Sequence, residues 1–265
     1  MSTVNYESRR RALAGEPMMG TFINTGSPIS AELAAQAGLD WLMLDLEHGM
    51  GSWEGLLQQL IAVSGHPIAP VVRLPFLRPE YFKRAFDMGA MGVMVPYVES
   101  AEQAADAVRF TRYPPRGIRG VAKFNRGAEF GGRFTEWLER SHEATLVIVQ
   151  IESRKALDNL DAIAATEGVD VLFIGPLDLS VSLGIPQQFD HPDFRAAKAA
   201  VAAAARKHGK AAGILGFDPE QIGDLLAEGF SFLSVGSDGG YLAAAFQNLG
   251  GKFTELSAPR NGHPS

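Results

Sequence analysis

Residues 168–180 read GVDVLFIGPLDLS. Within it Val169–Ile174 is nearly continuous in branched and aromatic apolar residues, and Thr145–Ile151, TLVIVQI, has the same character. Unbroken runs of strand length are expected of strands covered on both faces, as in a parallel sheet flanked by helices. Working outward, six further short apolar runs appear: Met18–Asn24, Trp41–Asp45, Ile68–Leu74, Gly92–Pro96, Lys210–Leu215 and Phe230–Val235. Helical patterns separate them at Ser30–Ala37, Trp53–Val63, Pro79–Met88, Ala101–Phe110, Ser153–Thr166, Pro192–His208 and Pro219–Glu228, and another follows at Ser237–Leu249. Eight strand–helix units in about 250 residues predict a (β/α)8 TIM barrel more readily than an open doubly wound sheet. No GxGxxG follows the first strand, which removes the main argument for a dinucleotide-binding sheet.

The composition fits one large α/β domain. Of 265 residues 46% are apolar and 20% charged, with glycine and proline scattered, which excludes a disordered or collagenous chain. A net charge of −6 argues against a nucleic-acid partner, which needs a basic face. With no cysteine, disulfides and thiolate metal sites are excluded, and the composition suits a reducing compartment. Arg9, Arg10 and Arg11 are followed by no apolar core of an export signal, and no run approaches the roughly 20 residues of a membrane span. A cytoplasmic protein with one domain over residues 1–256 and a disordered tail over 257–265 is expected. The irregular, glycine-rich stretch Arg112–Gly132 is long enough to predict a functional or interface role.

Barrel active sites lie at the carboxyl ends of the strands, so polar residues there carry most weight. Those ends bring Asp45, Glu47 and His48, then Arg73, then Gln150 and Glu152, then Asp178 towards one mouth. Glu152 and Asp178, from adjacent strand ends, form a natural pair of oxygen ligands for Mg²⁺ or Mn²⁺; singly, each is as well explained as a helix cap. His48, among acidic residues, is a candidate proton carrier or a hydrogen-bonded loop residue. Arg73 suits a carboxylate or a developing oxyanion, and an ion pair with Asp45 is compatible with that role. His66, His142, His191, His208 and His263 fall at helix ends, loops or the tail and receive no chemistry. None of the seven lysines sits at a strand's carboxyl end, which favours metal-stabilised enolate chemistry over a Schiff base. The turn VGSDGGYL, after the eighth strand, is either an anion cradle or a helix capped by Ser237 or Asp238.

Seven segments in order, GLDWLMLDLEHG, PVVRLP, FDMGAMGVMVPYVESAEQA, RYPPRGIRGVAK, VQIES, GVDVLFIGPLDLS and FLSVGSDGGYL, resemble the HpcH/HpaI aldolases over about Gly20 to Gly251. The resemblance implies a barrel of the phosphoenolpyruvate/pyruvate type and metal-dependent, reversible cleavage of 4-hydroxy-2-oxo acids to pyruvate, or a close 2-oxo acid, and an aldehyde. It implies His48 as base, Arg73 as transition-state stabiliser, and Asp87 as the acid that supports the histidine from a neighbouring subunit. It further implies Glu152 and Asp178 as ligands of Mg²⁺, Mn²⁺ or Co²⁺, with Gln150 and the backbone around Leu177 contacting the keto acid. A hexamer with its last helix exchanged is implied as well. Leu177 stands where many relatives carry a small residue, and Lys123–Gly132 belongs to a segment that varies with substrate, so the donor is better specified than the acceptor. Two other readings remain: a lyase acting on CoA thioesters, and a catalytically silent keto-acid-binding barrel.

Overall fold

The computed structural model describes residues 3–257. Its elements run α1 (Thr3–Leu13), β1 (Met18–Ile23), α2 (Pro28–Ala35), β2 (Trp41–Asp45), α3 (Trp53–Ala62), β3 (Ala69–Arg73), α4 (Pro79–Met88), β4 (Gly92–Val95) and α5 (Ala101–Thr111). They continue with α6 (Phe134–Ala144), β5 (Leu146–Ile151), α7 (Arg154–Asp158), α8 (Leu160–Ala164), β6 (Val171–Ile174), α9 (Pro176–Ser182) and α10 (Pro192–Lys207). The last are β7 (Ala211–Gly216), α11 (Ile222–Ala227), β8 (Phe232–Ser237) and α12 (Asp238–Ser257). All eight strands pair in parallel and in sequence order, and β8 closes on β1, giving the expected (β/α)8 barrel.

Strand parity sets the two cores apart. Leu42, Leu44, Val72 and Val149 point outward into the helix layer, while Trp41, Met43, Val71, Ile148 and Phe173 fill the lumen. Trp41 stacks on Phe232 with ring centroids 4.3 Å apart and meets Phe173 edge-on at 6.3 Å. Room for that indole comes from Gly20, where an added Cβ would lie 2.4 Å from the ring. Counting on by two from the lumen residues brings Asp45, Arg73, Gln150 and Glu152 onto the same inner face, above the aromatic layer. β2 and β3 pair Asp45 directly with Arg73.

Several elements depart from the sequence reading. Helix α1 was not anticipated, because its face is mostly polar and ion pairs rather than an apolar stripe hold it. It crosses the lower end of the barrel, where Ala12 joins the lumen core, Arg9 grips Asp170 and Arg11 reaches Asp40. The helix expected over Ser153–Thr166 is broken at Asn159, whose φ of −104° and ψ of 10° leave the helical region. α6 and α9 are additional, and the stretch after α5 is irregular apart from a short turn at Glu129–Gly131. The final helix runs on to Ser257, so the tail expected from residue 257 lies, beyond that residue, outside the described residues.

α12 stands off the barrel: every residue from Gly240 to Ser257 is exposed, among them Leu242, Phe246, Leu249, Phe253 and Leu256. Those five recur at three- and four-residue intervals and so form one apolar stripe. A groove bounded by Leu33, Ala34, Ile222 and Val235 lies between α2 and α11, where the eighth helix of a barrel packs. Among the described residues no helix is long and apolar enough to cross a membrane.

Asp170 is buried, and it accepts two hydrogen bonds from Arg9 Nε and Nη2, the shortest at 2.9 Å, and one from the Val147 N–H. Burial pushes its carboxyl up, and Arg9 pulls it back. Removing one member of a buried pair leaves an uncompensated charge, typically at about 3 kcal/mol or more. Arg9→Met should therefore lower the unfolding free energy at neutral pH by roughly that amount in a urea titration, and a loss below about 1 kcal/mol would show the pin to be dispensable.

Candidate active site

At the carboxyl ends of the strands opens a cavity of about 590 Å³ whose walls include Asp45, His48, Arg73, Gln150, Leu177 and Asp178. Its floor is the lumen core; its polar groups are the next inward positions of β2, β3 and β5. The structure thus brings together six of the residues predicted from sequence. Arg73 is the centre of charge. Its Nε and Nη2 donate to the two oxygens of Asp45 at 2.9 and 2.7 Å, and Nη1 lies 3.1 Å from Glu47 Oε2. Its guanidinium carbon also sits 5.1 Å from the Phe22 ring centroid. Burial alone would lower the pKa of Arg73, but Asp45, Glu47 and Glu152 outweigh it, and the net shift is upward. Asp45 Oδ1 additionally accepts the main-chain N–H groups of Glu47 and His48, which fixes the turn that follows β2.

Glu152 sits just past β5 and is 2% exposed. Its Oε1 accepts the Tyr97 N–H at 2.7 Å and its Oε2 accepts from Gln150 Nε2 at 2.8 Å. Burial is the main force that drives its pKa up to about 8; Tyr97 opposes this, while the nearby charges of Glu47 and Asp178 add to it. Asp178, in the first turn of α9, accepts the Tyr97 phenol at 2.8 Å. β5 and β6 pair Gln150 with Phe173 and Ile151 with Ile174, so Glu152 lies level with Gly175. A Cβ on Gly175 would fall 2.3 Å from Glu152 Oε2.

His48 is exposed at the rim, with Nε2 4.0 Å from Glu47 Oε1. Asp87 is not near it. It lies in the last turn of α4, next to the amino end of β4 and so at the opposite end of the barrel. There Asp87 Oδ1 accepts from Arg119 at 3.0 Å and Asn125 at 3.1 Å, and the Arg119 side chain is fully buried against Phe86 and Tyr113. The turn after β8 resolves as a structural staple: the Asp238 carboxylate accepts from the main-chain N–H groups of Asn24, Thr25 and Gly239 and from the Thr25 hydroxyl. Among the described residues no lysine lines the cavity.

Residues 18–245 match the family model described as HpcH/HpaI aldolase/citrate lyase. The chain belongs to this family. A 5-keto-4-deoxy-D-glucarate aldolase from Klebsiella pneumoniae subsp. pneumoniae is 43% identical over 240 residues, covering 91% of this chain and 93% of that one. One from Salmonella paratyphi C is 42% identical over 245 residues, covering 92% and 95%. Among solved structures, an HpcH/HpaI aldolase/citrate lyase family protein from Burkholderia cenocepacia superposes with a TM-score of 0.89 at 38% identity, covering 94% of this chain and 99% of that one.

Two site residues escaped the sequence reading. Glu47 was noted at a strand end without a role, yet it is the second carboxylate on Arg73. Tyr97, two residues past β4, was not considered; its place just beyond a strand end was the available signal. Among the described residues no three His, Cys, Asp or Glu side chains converge on one point. A divalent cation nonetheless fits here on the chemistry of the donors. Glu152 and Asp178 offer two carboxylates, Gln150 Oε1 is buried without a hydrogen-bond partner, and hard cations accept water and substrate oxygens at their other positions.

Gly175 follows as a point of steric control. Gly175→Ala must displace Glu152, and a misplacement of about 1 Å in a catalytic group costs on the order of 10² in rate. The variant should keep its circular dichroism spectrum and lose about that factor in kcat/KM. Turnover within threefold of the parent would show that Glu152 has no fixed place to lose.

Proposed function

We propose that this cavity carries out metal-dependent aldol cleavage, with Glu152 and Asp178 holding the cation, Arg73 stabilising developing oxygen charge and His48 moving the proton. The chain is a carbon–carbon lyase of the aldolase type, which cleaves 4-hydroxy-2-oxo acids to a pyruvate-type product and an aldehyde. The observation that carries the site assignment is electrostatic: Glu47, Glu152 and Asp178 face a mouth whose one buried cation among the described residues is Arg73, and Asp45 and Glu47 engage three of its N–H donors while leaving others open. A bound Mg²⁺, Mn²⁺ or Co²⁺ supplies Lewis acidity towards the 2-oxo acid there.

The chain's own groups divide the remaining work. His48 accepts the proton of the C4 hydroxyl as the C3–C4 bond breaks, the aldehyde departs, and the electron pair passes into the enolate of the 2-oxo acid. Arg73, immobilised by Asp45 and by the face of Phe22, meets the enolate oxygen with a preset charge. Protonation at C3 from the His48 imidazolium completes pyruvate and resets the base. Gln150 and the main chain around Leu177 contact the keto acid. Leu177, 46% exposed, and Phe217 line the apolar side of the cavity, the acceptor side in this reading.

Among the described residues no carboxylate lies at hydrogen-bonding distance of His48, and the Asp87 side chain is partly exposed. An Asp87 supplied by a neighbouring copy completes the base. The exposed stripe of α12 and the groove between α2 and α11 support exchange of that helix in a homo-oligomer, which we take to be a hexamer. The cysteine-free composition supports a cytoplasmic setting, and the sugar-acid aldolases among the relatives support a role in sugar-acid breakdown. A CoA thioester is less well served, since Arg73 and His48 are the only basic side chains lining the cavity among the described residues.

Dialysis against a chelator should abolish pyruvate release from 4-hydroxy-2-oxo acids, and Mg²⁺, Mn²⁺ or Co²⁺ should restore it. Borohydride with pyruvate should leave the mass of the protein unchanged; a trapped pyruvyl-lysine adduct would overturn the mechanism. The shared site has a separate test. His48→Ala and Asp87→Asn proteins, each inactive alone, should regain activity when unfolded, mixed and refolded together, whereas a mixture as inactive as its components would show that Asp87 does not complete the site of a neighbouring copy.

A further inference from the structure

Among the described residues Tyr97 is the one whose hydrogen bonds reach both proposed metal ligands. Its main-chain N–H donates to Glu152 Oε1 at 2.7 Å, and its phenol donates to Asp178 Oδ1 at 2.8 Å. Glu152 sits just past β5 and Asp178 at the start of α9, so the tyrosine, from the turn after β4, ties two separate elements together. Its φ of 50° puts it in the left-handed region, which a side chain with a Cβ rarely adopts. Glycine would meet no such penalty. A tyrosine held there, 49% exposed and with little packing to retain it, is kept in place by hydrogen bonds to two acidic groups.

The pattern of occupied oxygens is informative. On Glu152, Tyr97 takes Oε1 and Gln150 takes Oε2, one hydrogen bond apiece, and on Asp178 Tyr97 takes only Oδ1. Each carboxylate oxygen has more than one lone-pair direction, so both groups are oriented and still able to coordinate. Groups that orient metal ligands in this way raise affinity by fixing the ligand's direction before the ion arrives, and losing one typically costs 10- to 100-fold.

We propose that Tyr97 is the positioning residue of the divalent-cation site, its phenol aiming Asp178 and its main-chain N–H aiming Glu152. The inference rests on the assignment of Glu152 and Asp178 as the cation ligands. It assigns Tyr97 no contact with substrate and no part in proton transfer.

The measurement is Mn²⁺ binding to the purified, chelator-treated full chain, followed by calorimetry and by the paramagnetic resonance signal of free Mn²⁺. Tyr97→Phe keeps the ring and the main-chain donor and removes only the bond to Asp178. Its dissociation constant for Mn²⁺ should rise about tenfold or more, while the metal-free melting temperature stays that of the parent. At saturating Mn²⁺ kcat should recover most of its value, because the residue acts through the metal site. Tyr97→Gly, free of the left-handed penalty and retaining the N–H, should bind Mn²⁺ no more tightly than Tyr97→Phe. Glu152→Gln and Asp178→Asn separate the two levels of the argument. If both bind Mn²⁺ like the parent, the ligand assignment falls and this inference with it. If both lose binding while Tyr97→Phe stays within twofold of the parent, only the role of Tyr97 is overturned.

Discussion

The arrangement at the mouth of this barrel depends on the pairing of Arg73 with Asp45. The β2–β3 register sets the two residues side by side on the inner face, and the carboxylate takes two of the guanidinium's donors in a fork. The same Asp45 oxygen that binds Nε also receives the amides of Glu47 and His48, so one acid fixes a cation, a second acid and the turn that carries His48 at once. Glu47 closes the third side of the guanidinium and the Phe22 ring lies against it. Little freedom is left to Arg73, and a charge held without reorganisation is the form of electrostatic help that low-dielectric sites use best.

That rigid cation is outnumbered. Glu152 lies deep enough that burial, joined by the charges of Glu47 and Asp178, makes ionisation unfavourable at neutral pH. Proteins seldom leave buried carboxylates in this state unless a counter-charge is brought by something else. In the proposed mechanism, Glu152 and Asp178 would hold a cation able to bind a 2-oxo acid, and the fixed guanidinium beside them would disperse enolate charge.

Much of this was legible in the chain. The strands showed because both faces of each are apolar, giving runs such as Val169–Ile174 that neither a loop nor a surface helix explains. Position did the rest for Asp45, Arg73, Gln150 and Glu152, since two-residue parity carries the lumen face of a strand to its polar end. Where the reading stopped, the physics was of another kind. The backbone angle that brings Tyr97 onto two acids has no signature in composition. Helix α1 lacks an apolar stripe, and the aspartates that hold it lie far along the chain. Asp87 and His48 occupy opposite ends of one barrel, so no reading confined to a single copy unites them; only the family resemblance suggested that they meet.

The docking of α1 also bears on how the chain reaches this state. Arg9 and its partner Asp170 are 161 residues apart, so α1 has its anchor just ahead of β6. Closing a loop of that length carries an entropic cost that local contacts do not repay, and contacts of long sequence separation form late. Helix α1 therefore settles among the last elements, after β6 has joined the sheet. Attachment of α1 is in effect a completion signal: a chain cut before β6 has no Asp170 for Arg9 to grip, so the lower end of the barrel is sealed only once that strand is in place.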